Sequence, residues 1–274
     1  MTFMIFGPNG FIGKRFMNEF DNSTPSKADI ADKESVIKDL EDCKPDCVIN
    51  CAGKTGRPNV DWCEDNKLET MRANVEGPLI LLDECMKRNI YFVHLSTGCV
   101  YTGDNGGKGF SEDDPPNFTG SFYSRTKGWS DQIMHDFPVL NLRLRMPLCD
   151  ERDPRNLIMK LSKYQNVLDV ENSITYVPDL IRIAKTLIEK KKIGTYNIIN
   201  PGPISPYRIM QLYKEIVDPA HEFNRMTLEE LPNHTKAGRS NCTLNTDKLK
   251  NEGIELEDAE SVVIKALNAY KLNT

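Results

Sequence analysis

The chain has 274 residues, with 35 Lys and Arg against 40 Asp and Glu, a formal net charge of -5, and 39% hydrophobic and 27% charged residues. That composition belongs to a globular protein able to bury a sizeable core, and without a basic surplus it argues against nucleic acid as a partner. No apolar run approaches the ~18 residues needed to cross a bilayer, so no membrane association is expected.

Residues 2–6 form an apolar run that ends in glycines and reads as a strand entering a turn, not as a secretory leader. A helical pattern follows over residues 11–21. Residues 32–42 read as a second helix, with Asp32 three residues before Ser35 as its cap. Further strands are expected at residues 47–50, 91–95 and 140–145, and further helices at residues 66–88 and 121–136. Alternating short apolar runs and helical patterns predict an α/β fold, a Rossmann-type parallel sheet with helices on both faces. From about Pro147 onward prolines interrupt the pattern. The expected division is residues 1–147 as the dinucleotide-binding domain and residues 148–274 as mainly a smaller substrate lobe, with segments returning to the sheet domain.

The cysteines number eight. Cys47 and Cys51 are followed by no CxxC or His pair at ligand spacing, so no metal site is expected. Free thiols in a reducing, cytoplasmic setting are the expectation.

The opening turn, Gly7-Pro8-Asn9-Gly10-Phe11-Ile12-Gly13, has GxxGxxG spacing directly after a strand. Gly7 would allow the tight turn, Gly10 the approach of backbone to a pyrophosphate, and Gly13 the packing of helix on strand. Residues 23–27, Ser-Thr-Pro-Ser-Lys, precede Asp29 and Ile30 where an acidic residue would select NAD. Hydroxyls and the Lys27 ammonium there favour NADPH, with NADH as the other possibility. Ala52, Gly53 and Lys54 follow a strand with small residues, which suits backbone passing a flat cofactor.

Tyr123-Ser124-Arg125-Thr126-Lys127 is a YxxxK on a predicted helix, a spacing that places phenol and ammonium on one face. Tyr123 would give a proton to a ketone reduced by hydride, with Lys127 lowering the phenol's pKa and reaching the nicotinamide ribose. Thr97, at the end of a strand, could hydrogen-bond the developing oxyanion. Asn74 sits mid-helix, where Asn is a poor helix former, and is expected to orient a water or backbone group near Lys127.

The N-terminal GxxGxxG, Asn74, Ser96-Thr97 and Tyr123-xxx-Lys127 together resemble the extended short-chain dehydrogenase/reductase family. Longer words sharpen the resemblance: residues 56–64 (GRPNVDWCE), 116–124 (PNFTGSFYS), 142–147 (LRLRMP) and 239–241 (RSN) are similar to the bifunctional UDP-4-keto-6-deoxyglucose 3,5-epimerase/4-reductases of UDP-rhamnose synthesis. The dTDP-4-keto-rhamnose reductases are next in pattern. The resemblance implies conversion of UDP-4-keto-6-deoxy-D-glucose to UDP-L-rhamnose, and a homodimer built on the helices bearing Asn74 and Tyr123. Cys99 falls where the GDP-fucose epimerase/reductases carry a catalytic Cys. Their His partner is replaced here by Lys160, so the two would relay protons at carbons 3 and 5. Arg57, Asn156, Arg239, Ser240 and Asn241 are implied as substrate contacts, Arg239 as a pyrophosphate clamp. Two rival readings stay open: a 4-keto reductase without epimerase activity, and a non-catalytic regulatory subunit on the same fold.

Overall fold

In the computed structural model, which describes residues 1–272, the chain begins with β1 (Phe3–Phe6), α1 (Gly13–Glu19), β2 (Ser23–Pro25), α2 (Lys33–Cys43) and β3 (Cys47–Asn50). Next come the short helices α3 (Trp62–Asp65) and α4 (Lys67–Met71), a π turn over Arg72–Glu76, α5 (Gly77–Lys87), β4 (Tyr91–Thr97), α6 (Phe122–His135) and β5 (Leu140–Leu144). The remainder supplies β6 (Pro147–Leu148), α7 (Leu157–Leu161), β7 (Asn166–Leu168), β8 (Asn172–Tyr176), α8 (Val177–Glu189), β9 (Gly194–Ile198), β10 (Asn200–Ile204), α9 (Pro206–Ile216), β11 (Asn224–Met226), α10 (Asp247–Asn251) and α11 (Ala259–Leu272).

Six strands form a parallel sheet in the order β2-β1-β3-β4-β5-β9. Alternation of side chains makes both faces apolar. Ile5, Ile49, Val93 and Leu142 face α1 and α8, whereas Met4, Phe6, Val48 and Phe92 face α2, α5 and Met134 of α6. Each fully buried Leu or Ile of this kind contributes roughly 1.5–3 kcal/mol. Strand order reverses at β1 and β3, where Phe3 lies beside both Ser23 and Cys47. A crevice therefore opens beyond their carboxyl ends. A second core gathers around β8, with β6 and β10 beside it, and joins Leu148, Ile174, Ile204, Ile209, Val263 and Tyr270 among others.

Several expectations change in detail. The first strand starts at Phe3, and the helix expected over residues 11–21 spans only Gly13–Glu19. Ser23–Pro25, part of the stretch read as selecting the cofactor and not among the expected strands, is a strand. It lies at the sheet edge, the position where a strand tolerates Pro and polar residues. The helix expected over residues 66–88 is broken into α4, the π turn and α5. β5 ends at Leu144, so Arg145 has left the strand, and Met146 follows with φ +42°. Pro178 and Pro206, expected as interruptions, lie in the first turns of α8 and α9, where the missing N–H costs nothing. Asp32 does cap α2, accepting from the Ser35 N–H, and all eight cysteines are free. No helix of the described residues is long and apolar enough to cross a membrane.

Candidate active site

The glycine turn is built by contact. Gly7 has φ +73°, and a Cβ on it would come 2.7 Å from the Ala52 nitrogen; a Cβ on Gly13 would fall 2.1 Å from the Gly7 carbonyl oxygen. Only glycines let β1, α1 and the end of β3 approach so closely. Above them opens a cavity of about 730 Å³, lined by Gly7, Asn9, Gly10, Lys27, Asp29, Ile30, Ala52, Gly53 and Lys54 among others. That volume lies within the range of small-molecule sites, and its glycine floor would be closed by a side chain, so a dinucleotide fits the residues present. Phe11, Ile12 and Gly13 are not part of this lining; Phe11 and Ile12 pack on the sheet core and Gly13 is buried beneath the turn. Sequence reading missed Asp39. Its Oδ2 accepts from Ser26 Oγ at 2.6 Å and from the N–H groups of Lys27 and Ala28, which shapes the loop along one wall.

Asn74 lies wholly buried in the π turn. Its Oδ1 accepts from the Lys54 N–H at 2.8 Å, and its Nδ2 donates to the Lys54 carbonyl at 2.9 Å and to Thr126 Oγ1 at 3.3 Å. The group it orients is thus the backbone of Lys54. The wider π turn displaces Asn74 from the α-helical register, a feature common at functional sites.

Ser121 caps α6 by accepting from the Ser124 N–H, which fixes Tyr123 in the first turn. Tyr123 and Lys127 are both buried on the sheet-facing side of α6. Tyr123 is hydrogen-bonded with Thr97, so the end of β4 and the start of α6 meet. Burial and the Cys99 sulfur push the phenol's pKa up, and the Thr97 bond and the Arg145 charge pull it down. The cation expected to act on the phenol was Lys127; the cation that pulls its pKa down is Arg145, which sequence reading gave no role. Thr97 Oγ1 also accepts from the Cys99 N–H at 3.1 Å.

Lys127 Nζ donates to the Leu95 carbonyl at 3.0 Å and sits 3.5 Å from His94 Nε2. Burial lowers its pKa to about 8, with Asp131 and Cys99 opposing. His94 is itself buried against Asn50 Nδ2 at 3.1 Å, and burial and Lys127 hold its pKa well below the usual value. Ser96 donates to Asp131 at 2.5 Å, and Asp131 pairs with Arg143 at 2.6 Å. Burial pushes the Asp131 carboxyl up, but the Arg143 charge and the donated hydrogen bonds hold its pKa below the ordinary value.

Cys99 is half-buried, and its Sγ lies 2.7 Å from an Arg145 N–H. Lys160 is on α7; its ammonium makes no hydrogen bond or ion pair among the described residues, and desolvation, then Arg155, lower its pKa against Asp153. The substrate contacts expected from resemblance are placed unevenly. Asn156 is a correction: it is wholly buried, caps α7 at the Ile158 N–H, and donates to the carbonyls of Cys149 and Glu151 at 2.8 Å. Its amide is spent inside the second core, out of reach of a sugar. Arg239 is paired with Asp61 at 2.8 Å through Nη1 and donates to Asn59 Oδ1 at 3.3 Å through Nη2. Ser240 donates to the Tyr101 carbonyl and Asn241 Oδ1 accepts from Asn172; both are buried. Arg57 is exposed in the loop after β3.

A glycine-floored crevice at a reversed strand order, with a Tyr-xxx-Lys helix beside it, defines a reductase of the extended short-chain dehydrogenase type. Residues 1–272 match the RmlD substrate binding domain family, and the chain belongs to that family. It is 39% identical over 275 residues to the bifunctional dTDP-4-dehydrorhamnose 3,5-epimerase/dTDP-4-dehydrorhamnose reductase of Arabidopsis thaliana, covering 96% of this chain and 91% of that one. It is 38% identical to an Arabidopsis trifunctional UDP-glucose 4,6-dehydratase/UDP-4-keto-6-deoxy-D-glucose 3,5-epimerase/UDP-4-keto-L-rhamnose-reductase, covering 97% of this chain but only 41% of that longer protein. The crystal structure of the L780 UDP-rhamnose synthase from Acanthamoeba polyphaga mimivirus superposes with a TM-score of 0.92 at 34% identity, over 98% of this chain and 99% of that one.

Proposed function

We propose that the protein converts UDP-4-keto-6-deoxy-D-glucose to UDP-L-rhamnose by epimerisation at carbons 3 and 5 followed by NADPH-dependent reduction of the 4-ketone. The observation that carries this reading is the meeting of Thr97, Tyr123 and Cys99 at the end of β4, next to the glycine-floored crevice. Reduction alone needs the hydroxyl and the phenol; a half-buried sulfur beside them supports the second chemistry. Activities printed for the relatives support the same pair of steps.

In this reading the cavity holds NADPH, with the turn from Gly7 to Gly10 at the pyrophosphate and Lys27 near the 2′-phosphate. When bound, the cofactor supplies the hydride for carbon 4. Thr97 and Tyr123 hydrogen-bond the ketone oxygen, and Tyr123 passes its proton to it as the alcohol forms. Cys99 and Lys160 exchange protons at the carbons flanking the ketone. Residues 148–274 provide most of the nucleotide-sugar lobe, and a second copy of the chain covers the surface bearing the exposed Leu68 and Trp129.

The decisive experiment incubates the protein with UDP-4-keto-6-deoxyglucose and NADPH in deuterium oxide. Consumption of NADPH with deuterium at carbons 3 and 5 of a rhamnose product supports the reading. Reduction without deuterium would leave a plain 4-reductase, and no turnover with any keto-sugar would leave a regulatory subunit.

A further inference from the structure

The chain carries two buried arginines two residues apart, and only one meets a carboxylate. Arg143 pairs with Asp131. Arg145 is 5% exposed, and among the described residues no carboxylate pairs with it; the ionisable groups it faces are the thiols of Cys99 and Cys242 and the phenol of Tyr123. One of its nitrogens donates to Cys99 Sγ at 2.7 Å and another to Asn172 Oδ1 at 2.5 Å and to the Ser240 carbonyl. Its Nε has no partner. A cation taken out of water without a counter-ion is costly. So is the left-handed backbone of Met146, the next residue, at φ +42°. Both costs fall beside the sulfur and the phenol, which suggests a site made for negative charge that appears during turnover.

We propose that Arg145 is a positioning residue for epimerisation, aiming the Cys99 sulfur at the substrate and acting as counter-ion to the negative charge that passes between that sulfur and the ketone oxygen. The proposal rests on the reading of Cys99 as the carbon base. In the step it serves, the Cys99 thiolate takes a proton from a carbon beside the ketone. The C–H bond breaks, an S–H bond forms, and the electron pair moves to the ketone oxygen as an enolate. A proton from the Lys160 ammonium then reaches the opposite face, a new C–H bond forms, and the ketone returns. The resulting thiol gives a proton to water and the neutral amine takes one from it, which resets the pair. Through the transfer from carbon to sulfur the net charge beside Arg145 stays at minus one, so the guanidinium that held the thiolate also holds the enolate.

The test compares Arg145→Gln, Arg145→Lys and Cys99→Ser in the full chain with NADPH. Two rates are read: deuterium wash-in at carbons 3 and 5 of UDP-4-keto-6-deoxyglucose, and reduction of the already epimerised UDP-4-keto-rhamnose. Alkylation of Cys99 by iodoacetamide, followed on its peptide by mass spectrometry, is the third readout. Arg145→Gln is expected to slow wash-in about 100-fold and alkylation about 10-fold, and to slow reduction by a smaller factor than wash-in, because Tyr123 loses a neighbouring charge as well. Arg145→Lys, which keeps a charge without the fork, should restore part of both losses. Equal slowing of wash-in and reduction with unchanged alkylation would overturn the proposal, as would unaltered wash-in. Should Arg145→Gln not fold, the lysine variant decides: alkylation and wash-in at native rates with the fork gone would overturn the aiming role. Full wash-in by Cys99→Ser would sink the reading of Cys99 itself, a different failure from that of Arg145.

Discussion

The side-chain amide of Asn74 closes a two-way hydrogen-bond pair with the backbone of Lys54, accepting from its N–H and donating to its carbonyl. The residue from a broken helix therefore holds the loop after β3 in place at the cofactor crevice. Asn74→Ala leaves two part-buried backbone groups of Lys54 without this partner, a cost of roughly 1–3 kcal/mol for each group that stays dry. The expected result is a lower urea midpoint together with weaker NADPH binding by fluorescence titration. Asn74→Leu, which fills the space without bonding, should not recover the binding.

Tyr123→Phe removes the proposed proton donor but keeps the buried ring. General acid catalysis of this kind supplies about 10²–10⁴-fold, so kcat for ketone reduction should fall in that range. NADPH affinity should stay within about 3-fold, since the ring is retained. A variant that still reduced the ketone at the native rate would exclude Tyr123 as the donor.

Lys127 sets a pH dependence with a definite sign. Burial brings its pKa from 10.5 to about 8 in the folded protein, so the amine is charged below that pH and neutral above it. If the charge is needed at the nicotinamide ribose, kcat/KM for NADPH should decline above about pH 8, and Lys127→Arg should flatten that limb. Stability moves the other way. Between pH 8 and 10.5 the unfolded chain holds this proton and the folded one does not, so this residue makes stability rise with pH in that window. The rise is expected to vanish in Lys127→Met, read from urea midpoints across the range.

Removing one partner of the Arg143–Asp131 pair should be costly. Both side chains are almost fully buried, at 3% and 1% exposure, and a stranded buried charge typically costs about 3–5 kcal/mol. Arg143→Met should therefore lower thermal stability sharply, and Arg143→Met with Asp131→Leu should recover much of it. Because the folded-state pKa of Asp131 is depressed, its stabilising contribution is present above the unfolded carboxyl value and is lost as pH falls through the folded value. Acid unfolding of the native protein, compared with that of the double variant, checks this.

The glycine turn, the four inner strands and the Tyr-xxx-Lys helix were legible because each rests on a local pattern: apolar runs bounded by turns, glycines at fixed spacing, a spacing of four. β2 escaped because Ser-Thr-Pro looks like a loop and becomes a strand only by pairing with β1. α8 and β9 escaped because Pro178 reads equally as a breaker or as the first turn of a helix. The misreading of Asn156 has the same origin. Its sequence context is a helix start, but its partners, Cys149, Glu151 and Tyr270, come from segments up to 114 residues away. Arg145 was visible only as part of a familiar word. Its role depends on Asn172, Ser240 and Cys99, three distant stretches that no local pattern links.

Strand β9 pairs along the whole of β5, from Leu140 beside Gly194 to Leu144 beside Ile198. The cofactor-binding sheet is thus finished by chain that comes after the first strands of the second core. A fragment cut after Pro147 would lose both that outer strand and the α8 face that covers it, leaving an open, apolar border prone to self-association. Grafting the dinucleotide half into another protein would have to carry residues 177–198 along with it.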